Sequence, residues 1–281
     1  MTSRPGRPQA RKRFGQHFLE PAWADKLVKA IDPRPDDRFL EIGPGPGALT
    51  LRLAPRVQSL VAVEIDRDMA SALEPQVPGN VTIIREDFLE TDAGRWPSDA
   101  PLRVAGNLPY NVASPILFKL LEVQRSTGVF TDATLMLQRE VADRIEAGPG
   151  TGDYGVLSVL VQLRADVQRL LSLPPGAFRP PPKVHSAVIR LRFLEQPAVR
   201  LVDDAVFTGM IRSVFTQRRK TLGNALRPFA EGRGVNVRDL LGFANIDPVR
   251  RPETLTLQEF GHLANLLAAD SPTGSQSPTS S

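Results

Sequence analysis

Cysteine is absent from this chain of 281 residues, and histidine, tryptophan and tyrosine are scarce. Without a thiol there is no disulfide, no cysteine nucleophile and no cysteine-ligated zinc or iron–sulfur cluster. The three histidines, His17, His185 and His262, lie far apart in the sequence and lack the spacing of metal ligands. We therefore expect no metal site.

Long apolar runs are also missing. No stretch approaches the roughly 20 apolar residues of a transmembrane helix. The first 13 residues are basic and lack the apolar segment of a secretory signal. Hydrophobic residues make up 41% and charged residues 23% of the chain, which is ordinary for a globular protein. We expect a cytoplasmic protein without a membrane partner.

Positive charge is concentrated in three segments, although the net charge is only +4. No acidic residue occurs before Glu20, between Asp166 and Glu195, or between Asp204 and Glu231. Such segments suit a phosphate backbone, because each neutralised phosphate releases counterions. One basic segment is equally consistent with a solvated surface, but three together favour a nucleic-acid partner.

Apolar strands alternate with helical patterns from Asp37 onward, which is typical of an α/β fold with a doubly wound parallel sheet. The predicted strands are 38–42, 60–65, 81–85, 102–106, 133–138, 167–171 and 186–193. The predicted helices are 23–31, 48–54, 68–73, 114–123, 140–147 and 156–163. Because no helical pattern separates the last two strands, we expect them to form an antiparallel edge.

Four regions follow from composition and periodicity. Residues 1–13 form a basic, flexible segment, and residues 14–197 form the α/β domain. Residues 198–269 show helical periodicity only and form a small helical domain. Residues 270–281 are rich in Ser, Thr and Pro, and we expect a disordered tail.

A glycine-rich turn follows the first predicted strand of the sheet. Gly43, Gly45 and Gly47 let the chain turn tightly and bring backbone amides close to a ligand. The interposed Pro44 and Pro46 remove backbone donors, so the turn is a poor cradle for pyrophosphate. It fits a ligand without phosphates better.

Acidic residues follow the next two strands. Glu64 lies 21 positions after Gly43, close to the spacing of an acid that binds ribose hydroxyls. Asp87 can accept a hydrogen bond from an adenine amine, and Phe88 can cover the ring. Each acid taken alone is better explained as a strand-end or helix-capping carboxylate. At successive strand ends, in this order, they indicate S-adenosylmethionine as the methyl donor.

The strand at 102–106 leads into Asn107, Leu108, Pro109 and Tyr110. We hypothesise that the Asn107 side-chain oxygen and the Leu108 carbonyl accept the two N–H bonds of an adenine amine. Pro109 holds the turn, and Tyr110 stacks on the base. Phe178 is a candidate to cover the opposite face, although core packing explains it equally well.

The chain resembles the KsgA-type rRNA adenine N6,N6-dimethyltransferases in seven blocks that cover nearly all of it. The blocks are residues 14–19, 40–45, 107–111, 138–142, 154–158, 174–184 and 218–222. The resemblance implies a Rossmann-like methyltransferase domain followed by a small helical RNA-binding domain. It also implies these cofactor contacts: His17, Leu19, Gly43, Glu64, Asp87 and Asn107. His17 departs from the Asn that bacterial members often carry at this position.

The resemblance also implies the reaction. Two adjacent adenosines, in a hairpin loop near the 3′ end of small-subunit (16S) rRNA, each receive two N6 methyl groups from S-adenosylmethionine. The substrate is rRNA within an immature 30S particle, and the enzyme acts as a monomer. We expect these basic residues to contact rRNA phosphates: Arg11, Lys12, Arg13, Arg218, Arg219 and Lys220.

Three alternatives remain open. A large-subunit rRNA dimethyltransferase shares the catalytic half of the chain. A DNA adenine methyltransferase usually carries a second proline in place of Leu108 and a larger recognition domain. A ribosome-assembly factor on the same fold would act mainly by binding. Leu108 and the block at 174–184 favour the small-subunit enzyme.

Overall fold

A computed structural model describes residues 17–96 and 100–269. These residues fall into two compact units. The sheet unit comprises the chain up to Asp143 together with Asp166–Glu195, and the helical unit comprises Arg144–Ala165 together with the chain from Gln196 onward. The predicted basic segment 1–13 and the predicted tail 270–281 lie outside the described residues.

The sheet unit is built on seven strands in the order β4-β3-β2-β5-β6-β9-β7. Their bounds are β2 Arg38–Ile42, β3 Ser59–Val63, β4 Val81–Ile84, β5 Leu102–Asn107, β6 Phe130–Gln138, β7 Ala165–Leu173 and β9 Ser186–Phe193. Strands β2 to β6 pair in parallel, and β9 pairs antiparallel with β6. The predicted α/β class is confirmed, and the last two predicted strands lie side by side at one end of the sheet.

A second, two-stranded sheet was not predicted. Strand β1, Phe18–Leu19, pairs antiparallel with β8, Phe178–Arg179. Two residues are too few to show the alternation that identifies a strand. This pairing joins the start of the described chain to the segment that precedes β9.

The helices of the sheet unit are α1 Pro21–Ile31, α2 Thr50–Leu53, α3 Arg67–Leu73, α4 Ala113–Thr127 and α5 Arg139–Glu146, the last of which continues into the helical unit. Helix α1 begins with a proline and buries Ala24, Leu27, Val28 and Ile31, the spacing of a single apolar face. Helix α3 is capped by Asp66, whose carboxylate accepts hydrogen bonds from two backbone amides of the first turn.

The helical unit contains α6 Val156–Gln162, α7 Asp204–Thr216, α8 Leu222–Glu231, α9 Val237–Phe243 and α10 Leu257–Ala269. Helix α6 belongs here, whereas the sequence placed it in the domain 14–197. Gln162 of α6 donates hydrogen bonds to the carbonyls of Ile145 and Ala147, and Arg164 pairs with Asp204. The Gln162 bonds hold the 144–165 segment together, and the Arg164–Asp204 pair ties it to α7.

Two arginines cover the end of α1 at the amino ends of the parallel strands. Arg103 donates to the Ile31 carbonyl across 2.8 Å and to the carboxylates of Asp37 and Asp132 across 2.6 and 2.9 Å. Arg190 donates to the carbonyls of Ala30 and Ile31 across 2.7 and 2.8 Å. Cations at a helix C-terminus satisfy its free carbonyls, so this cluster stabilises the sheet unit at the end opposite the site described next.

Candidate active site

A cavity of about 1070 Å³, its open mouth included, lies at the carboxyl ends of the parallel strands. It is placed where the strand order reverses, between β2 and β5. The predicted site residues that line it are His17, Leu19, Gly43, Glu64, Asp87, Phe88, Asn107, Leu108, Pro109 and Tyr110. The fold therefore brings most of the predicted cofactor and base contacts into one space.

The glycine turn connects β2 to the start of α2. Gly43 has a φ of 68° and Gly45 a φ of 54°, a region that residues with a Cβ rarely adopt. The Gly43 amide donates to the Val63 carbonyl across 2.9 Å, which ties the turn to β3. Gly45 is absent from the cavity lining, and its amide donates to Glu64 instead. Gly45 thus acts on the site through Glu64.

Glu64 is buried at the end of β3, with 4% of its surface exposed. One carboxylate oxygen accepts from the Gly45 amide and the other from the Asp66 amide, each across 2.8 Å. Burial raises the pKa of Glu64, and these two amides oppose the rise. Each carboxylate oxygen has a second lone pair, so a ribose hydroxyl can still be accepted.

Asp87 and Phe88 form the wall that follows β4. One Asp87 oxygen accepts from the Leu89 amide across 2.9 Å. The Phe88 ring stacks on Trp96, with the centroids 5.6 Å apart and the planes at 5°. The remaining Asp87 oxygen and the Phe88 ring fit the predicted adenine contacts.

Lys119 of α4 supports this wall and was not predicted. Its ammonium donates to the carbonyls of Leu89 and Thr91 across 2.7 and 2.8 Å. Burial lowers the pKa of Lys119. No spacing rule connects a helix lysine with carbonyls some 30 positions earlier, so only the fold reveals this contact.

Glu41, on β2 directly before the turn, is a second residue that the sequence did not single out. It is 1% exposed, and burial raises its pKa to about 7. The nearby Thr50 lowers the pKa of Glu41 and so offsets part of the rise that burial causes. Within the described residues, however, neither the Thr50 hydroxyl nor Oε2 of Glu41 reaches hydrogen-bond geometry with a partner. A protonatable carboxyl therefore lies under the glycine turn.

Asn107 and Leu108 are held in place by neighbouring segments. The Asn107 amide nitrogen donates to the His17 carbonyl across 3.0 Å. The Leu108 amide donates to the Met136 carbonyl of β6 across 3.1 Å. With its nitrogen engaged, the side-chain oxygen of Asn107 is the atom left to accept from a substrate.

Tyr110 is held at two points. Its hydroxyl lies 2.6 Å from the hydroxyl of Ser186, and its ring stacks on the His17 ring with centroids 5.6 Å apart. The His17 ring in turn donates from Nδ1 to the Pro180 carbonyl across 2.7 Å. Burial raises the pKa of Tyr110. The phenol therefore stays neutral at physiological pH.

The structure does not bring Phe178 into the cavity. Its side chain is 2% exposed and belongs to the core cluster that includes Leu173, Ala177 and Val188. The pairing of β1 with β8 sets it opposite Leu19. Of the two readings of Phe178, the structure therefore supports core packing and not a contact with the base.

The predicted phosphate contacts fall in two places. Arg218, Arg219 and Lys220 lie between α7 and α8 of the helical unit, where Arg219 and Lys220 are exposed. Arg218 donates to the Gly152 carbonyl across 2.9 Å. The others, Arg11, Lys12 and Arg13, lie outside the described residues.

Two further expectations concern metals and membranes. In residues 17–96 and 100–269 no group of three or more potential ligands is arranged to hold a metal ion. Among the helices of the same residues, none has the length and apolar character required to span a bilayer.

Comparisons with known proteins identify relatives of this chain. The family model described as ribosomal RNA adenine dimethylase matches residues 7–263. A "Ribosomal RNA small subunit methyltransferase A" from Syntrophotalea carbinolica is 45% identical over 261 residues, which is 92% of this chain and 96% of the relative. Another of that name, from Acinetobacter baylyi, is 44% identical and covers 92% of each chain.

Solved structures show the same fold. A dimethyladenosine transferase from Plasmodium falciparum superposes with a TM-score of 0.77 at 26% identity, covering 90% of this chain and 98% of that one. The 23S rRNA methyltransferase ErmE gives a TM-score of 0.64 at 27% identity, with 89% and 99% covered. These matches confirm the Rossmann-like methyltransferase fold. With the family model spanning both units, the chain belongs to the ribosomal RNA adenine dimethylase family.

Proposed function

We propose that this protein transfers methyl groups from S-adenosylmethionine to N6 of two adjacent adenosines in small-subunit rRNA. The observation that carries the proposal is the shared cavity. Glu64 and Asp87 lie at its cofactor end, while Asn107 and Tyr110 line the same space. The family membership and the names of the relatives support the choice of substrate.

The donor set of the cavity fits S-adenosylmethionine. Its described lining contains two carboxylates and neither lysine nor arginine. Carboxylates suit ribose hydroxyls and an adenine amine, whereas a phosphate would require cations or free amides. When bound, S-adenosylmethionine supplies an electrophilic methyl group next to the base. Glu64 would hold the ribose, Asp87 the adenine amine and Phe88 the ring face.

The base end of the cavity would activate a weak nucleophile. The lone pair of adenine N6 is delocalised into the ring. Hydrogen bonds from N6 to the Asn107 side-chain oxygen and the Leu108 carbonyl favour a pyramidal nitrogen whose lone pair is free to attack. Tyr110 stacks on the base, a contact worth about 1–3 kcal/mol. Positioning dominates the in-line transfer: the N6–methyl bond forms as the sulfonium–methyl bond breaks, the N6 proton is released to water, and no strong general base is required.

The second methylation imposes its own demand. After the first transfer N6 has one N–H left, so one of the two acceptors loses its partner. The site must then accommodate a methyl group beside Asn107 or Leu108. The target base must also leave its stack, which is the usual state for chemistry on a base.

The helical unit would bind the rRNA backbone. Arg219 and Lys220 are exposed, and Arg218 lies beside them. With Arg11, Lys12 and Arg13 they would supply the sequence-independent part of the affinity. An immature 30S particle as substrate, action as a monomer and a place in the cytoplasm complete the proposal. The match to ErmE keeps large-subunit rRNA as the second candidate.

Methylation mapping tests the substrate. Purified enzyme and labelled S-adenosylmethionine are incubated separately with unmethylated small-subunit particles, large-subunit particles and DNA. Mass spectrometry of nuclease digests should find N6,N6-dimethyladenosine at two adjacent positions of small-subunit rRNA only. Asn107→Ala serves as the inactive control. Label confined to the large subunit or to DNA would overturn the proposal.

A further inference from the structure

Ser186 is a fully buried residue at the start of β9, with no exposed surface. Its hydroxyl lies 2.6 Å from that of Tyr110, a residue 76 positions earlier in the chain. The backbone beside it is also fixed, because the His185 carbonyl accepts from the Arg139 amide across 2.9 Å. Ser186 thus offers a rigid partner to an aromatic side chain of the candidate active site.

We propose that Ser186 is a positioning residue for methyl transfer. It holds the phenol of Tyr110 so that the ring presents a fixed plane to the target adenine. The proposal rests on the proposed function, in which Tyr110 stacks on that base.

The geometry around Tyr110 restricts its ring at both ends. His17 packs against the ring at an interplanar angle of 27°, and Ser186 holds the hydroxyl. A ring held only by stacking can tilt and slide, whereas a ring anchored at its far end cannot. Because the Ser186 side chain is closed off from solvent, water cannot replace its hydroxyl without a rearrangement.

The segment that contains Ser186 also supports Asn107, the other side chain proposed to bind the base. The Pro180 carbonyl accepts from the His17 ring, and the His17 carbonyl accepts from the Asn107 amide. The 180–186 segment therefore supports the two base-binding side chains by different routes. Ser186 acts directly on Tyr110, and Pro180 acts through His17. In-line transfer is sensitive to such placement, because small displacements of the acceptor cost large factors in rate.

The tyrosine content of the chain allows a direct test. Tyr110 and Tyr154 are its two tyrosines, so protein labelled at tyrosine Cζ gives two resonances. Tyr154 lies in the helical unit, and burial raises its pKa to about 12. The hydrogen bond from Ser186 lowers the pKa of Tyr110 against the effect of burial. Ser186→Ala should therefore shift the Tyr110 resonance at neutral pH and raise its pKa, while the Tyr154 resonance stays in place.

A double-mutant cycle tests the role in the reaction. Tyr110→Phe keeps the ring and removes the hydroxyl that Ser186 holds. Ser186→Ala should lower kcat roughly 3- to 10-fold, the factor of one lost hydrogen bond, and leave the Kd of S-adenosylmethionine unchanged. In the Tyr110→Phe background it should have no further effect. Ser158→Ala, which removes another fully buried serine hydroxyl, should affect kcat equally in both backgrounds.

The outcomes separate this inference from the proposed function. An unmoved Tyr110 resonance in Ser186→Ala, or equal losses of kcat with and without the Tyr110 hydroxyl, would overturn the positioning role. If Tyr110→Ala dimethylates rRNA at the wild-type rate, the stacking role of Tyr110 fails and the proposed mechanism fails with it. Melting curves of each variant confirm that rates are compared between folded proteins.

Discussion

The side-chain nitrogen of Asn107 donates to the carbonyl of His17 across 3.0 Å, although the two residues are 90 positions apart. This bond places the start of the described chain over the turn that follows β5. It also decides which way the amide points. The side-chain oxygen, an acceptor, is left for the adenine amine of the proposed mechanism.

Replacing Asn107 with Asp keeps an acceptor but removes the donor to His17 and sets a carboxylate against a carbonyl oxygen. We expect kcat to fall by at least about 100-fold, because the acceptor moves out of line with the methyl group. Single-turnover assays on small-subunit particles measure this. A variant that keeps more than a tenth of the wild-type rate would contradict the assigned orientation.

Tyr110→Ala should weaken binding of the target base by about 1–3 kcal/mol, the value of one base–aromatic stack. Tyr110→Phe retains the ring and should lose much less. KM for an rRNA fragment and kcat are measured for both variants and for the wild type. Equal losses in the two variants would mean that the hydroxyl, and not the stacking, carries the contribution of Tyr110.

Glu64→Ala should raise the Kd of S-adenosylmethionine by at least about 10-fold, since a hydrogen bond to a charged group contributes roughly 1.5–3 kcal/mol. Isothermal titration calorimetry gives the Kd directly. Glu90→Ala is the matched control, because Glu90 is an exposed acid next to the cofactor wall that does not line the cavity. Similar affinities for the two variants would remove Glu64 from the cofactor site.

Glu41 should make stability depend on pH. Its pKa is about 7 in the fold, against 4.5 as the ordinary value. The folded protein therefore binds the proton more tightly than the unfolded chain. This contribution to stability is complete below pH 4.5 and is lost as the pH rises through 7.

The expected loss is about 3 kcal/mol, from a shift of roughly 2.5 pKa units at 1.36 kcal/mol each. Urea unfolding of wild type and Glu41→Gln between pH 4.5 and 8 measures it, since glutamine carries no such proton. Parallel pH profiles for the two proteins would show that Glu41 does not titrate in this range.

Neutralising Arg219 and Lys220 together should weaken rRNA binding and reduce the slope of log K against log salt. Each lost phosphate contact should reduce that slope by about 0.7 to 0.9. Filter binding across a salt series gives the slope. The exposed Arg34, which pairs with Asp32 in the sheet unit, is the control site. If the salt slope equals that of Arg34→Gln, Arg219 and Lys220 do not contact rRNA phosphates and are ordinary surface charges.

The parts of this protein that follow local rules could be predicted from the sequence. The apolar strands β2 and β3 are followed by Gly43 and Glu64, and β5 ends at Asn107, so each strand and its candidate site residue are identified together. The carboxyl ends of parallel strands meet at one edge, which explains why these residues converge. No pairing information was needed for this step.

The remainder depends on contacts between distant segments. A phenylalanine beside a proline-rich turn has the same sequence pattern whether it stacks on a base or fills a core. Only the pairing of β1 with β8 places Phe178 in the core. Ser186, Lys119 and Glu41 acquire their roles from partners that no spacing rule identifies.

The division of the chain between its two units affects how the protein can be truncated and how it folds during synthesis. The backbone passes between the units after residues 143, 165 and 195. A truncation after Glu195 would remove Asp204, the ion-pair partner of Arg164, from the 144–165 segment. During synthesis the same segment must wait for α7, since Asp204 lies 40 positions after Arg164. Neither half of this enzyme can therefore be expressed as a simple fragment.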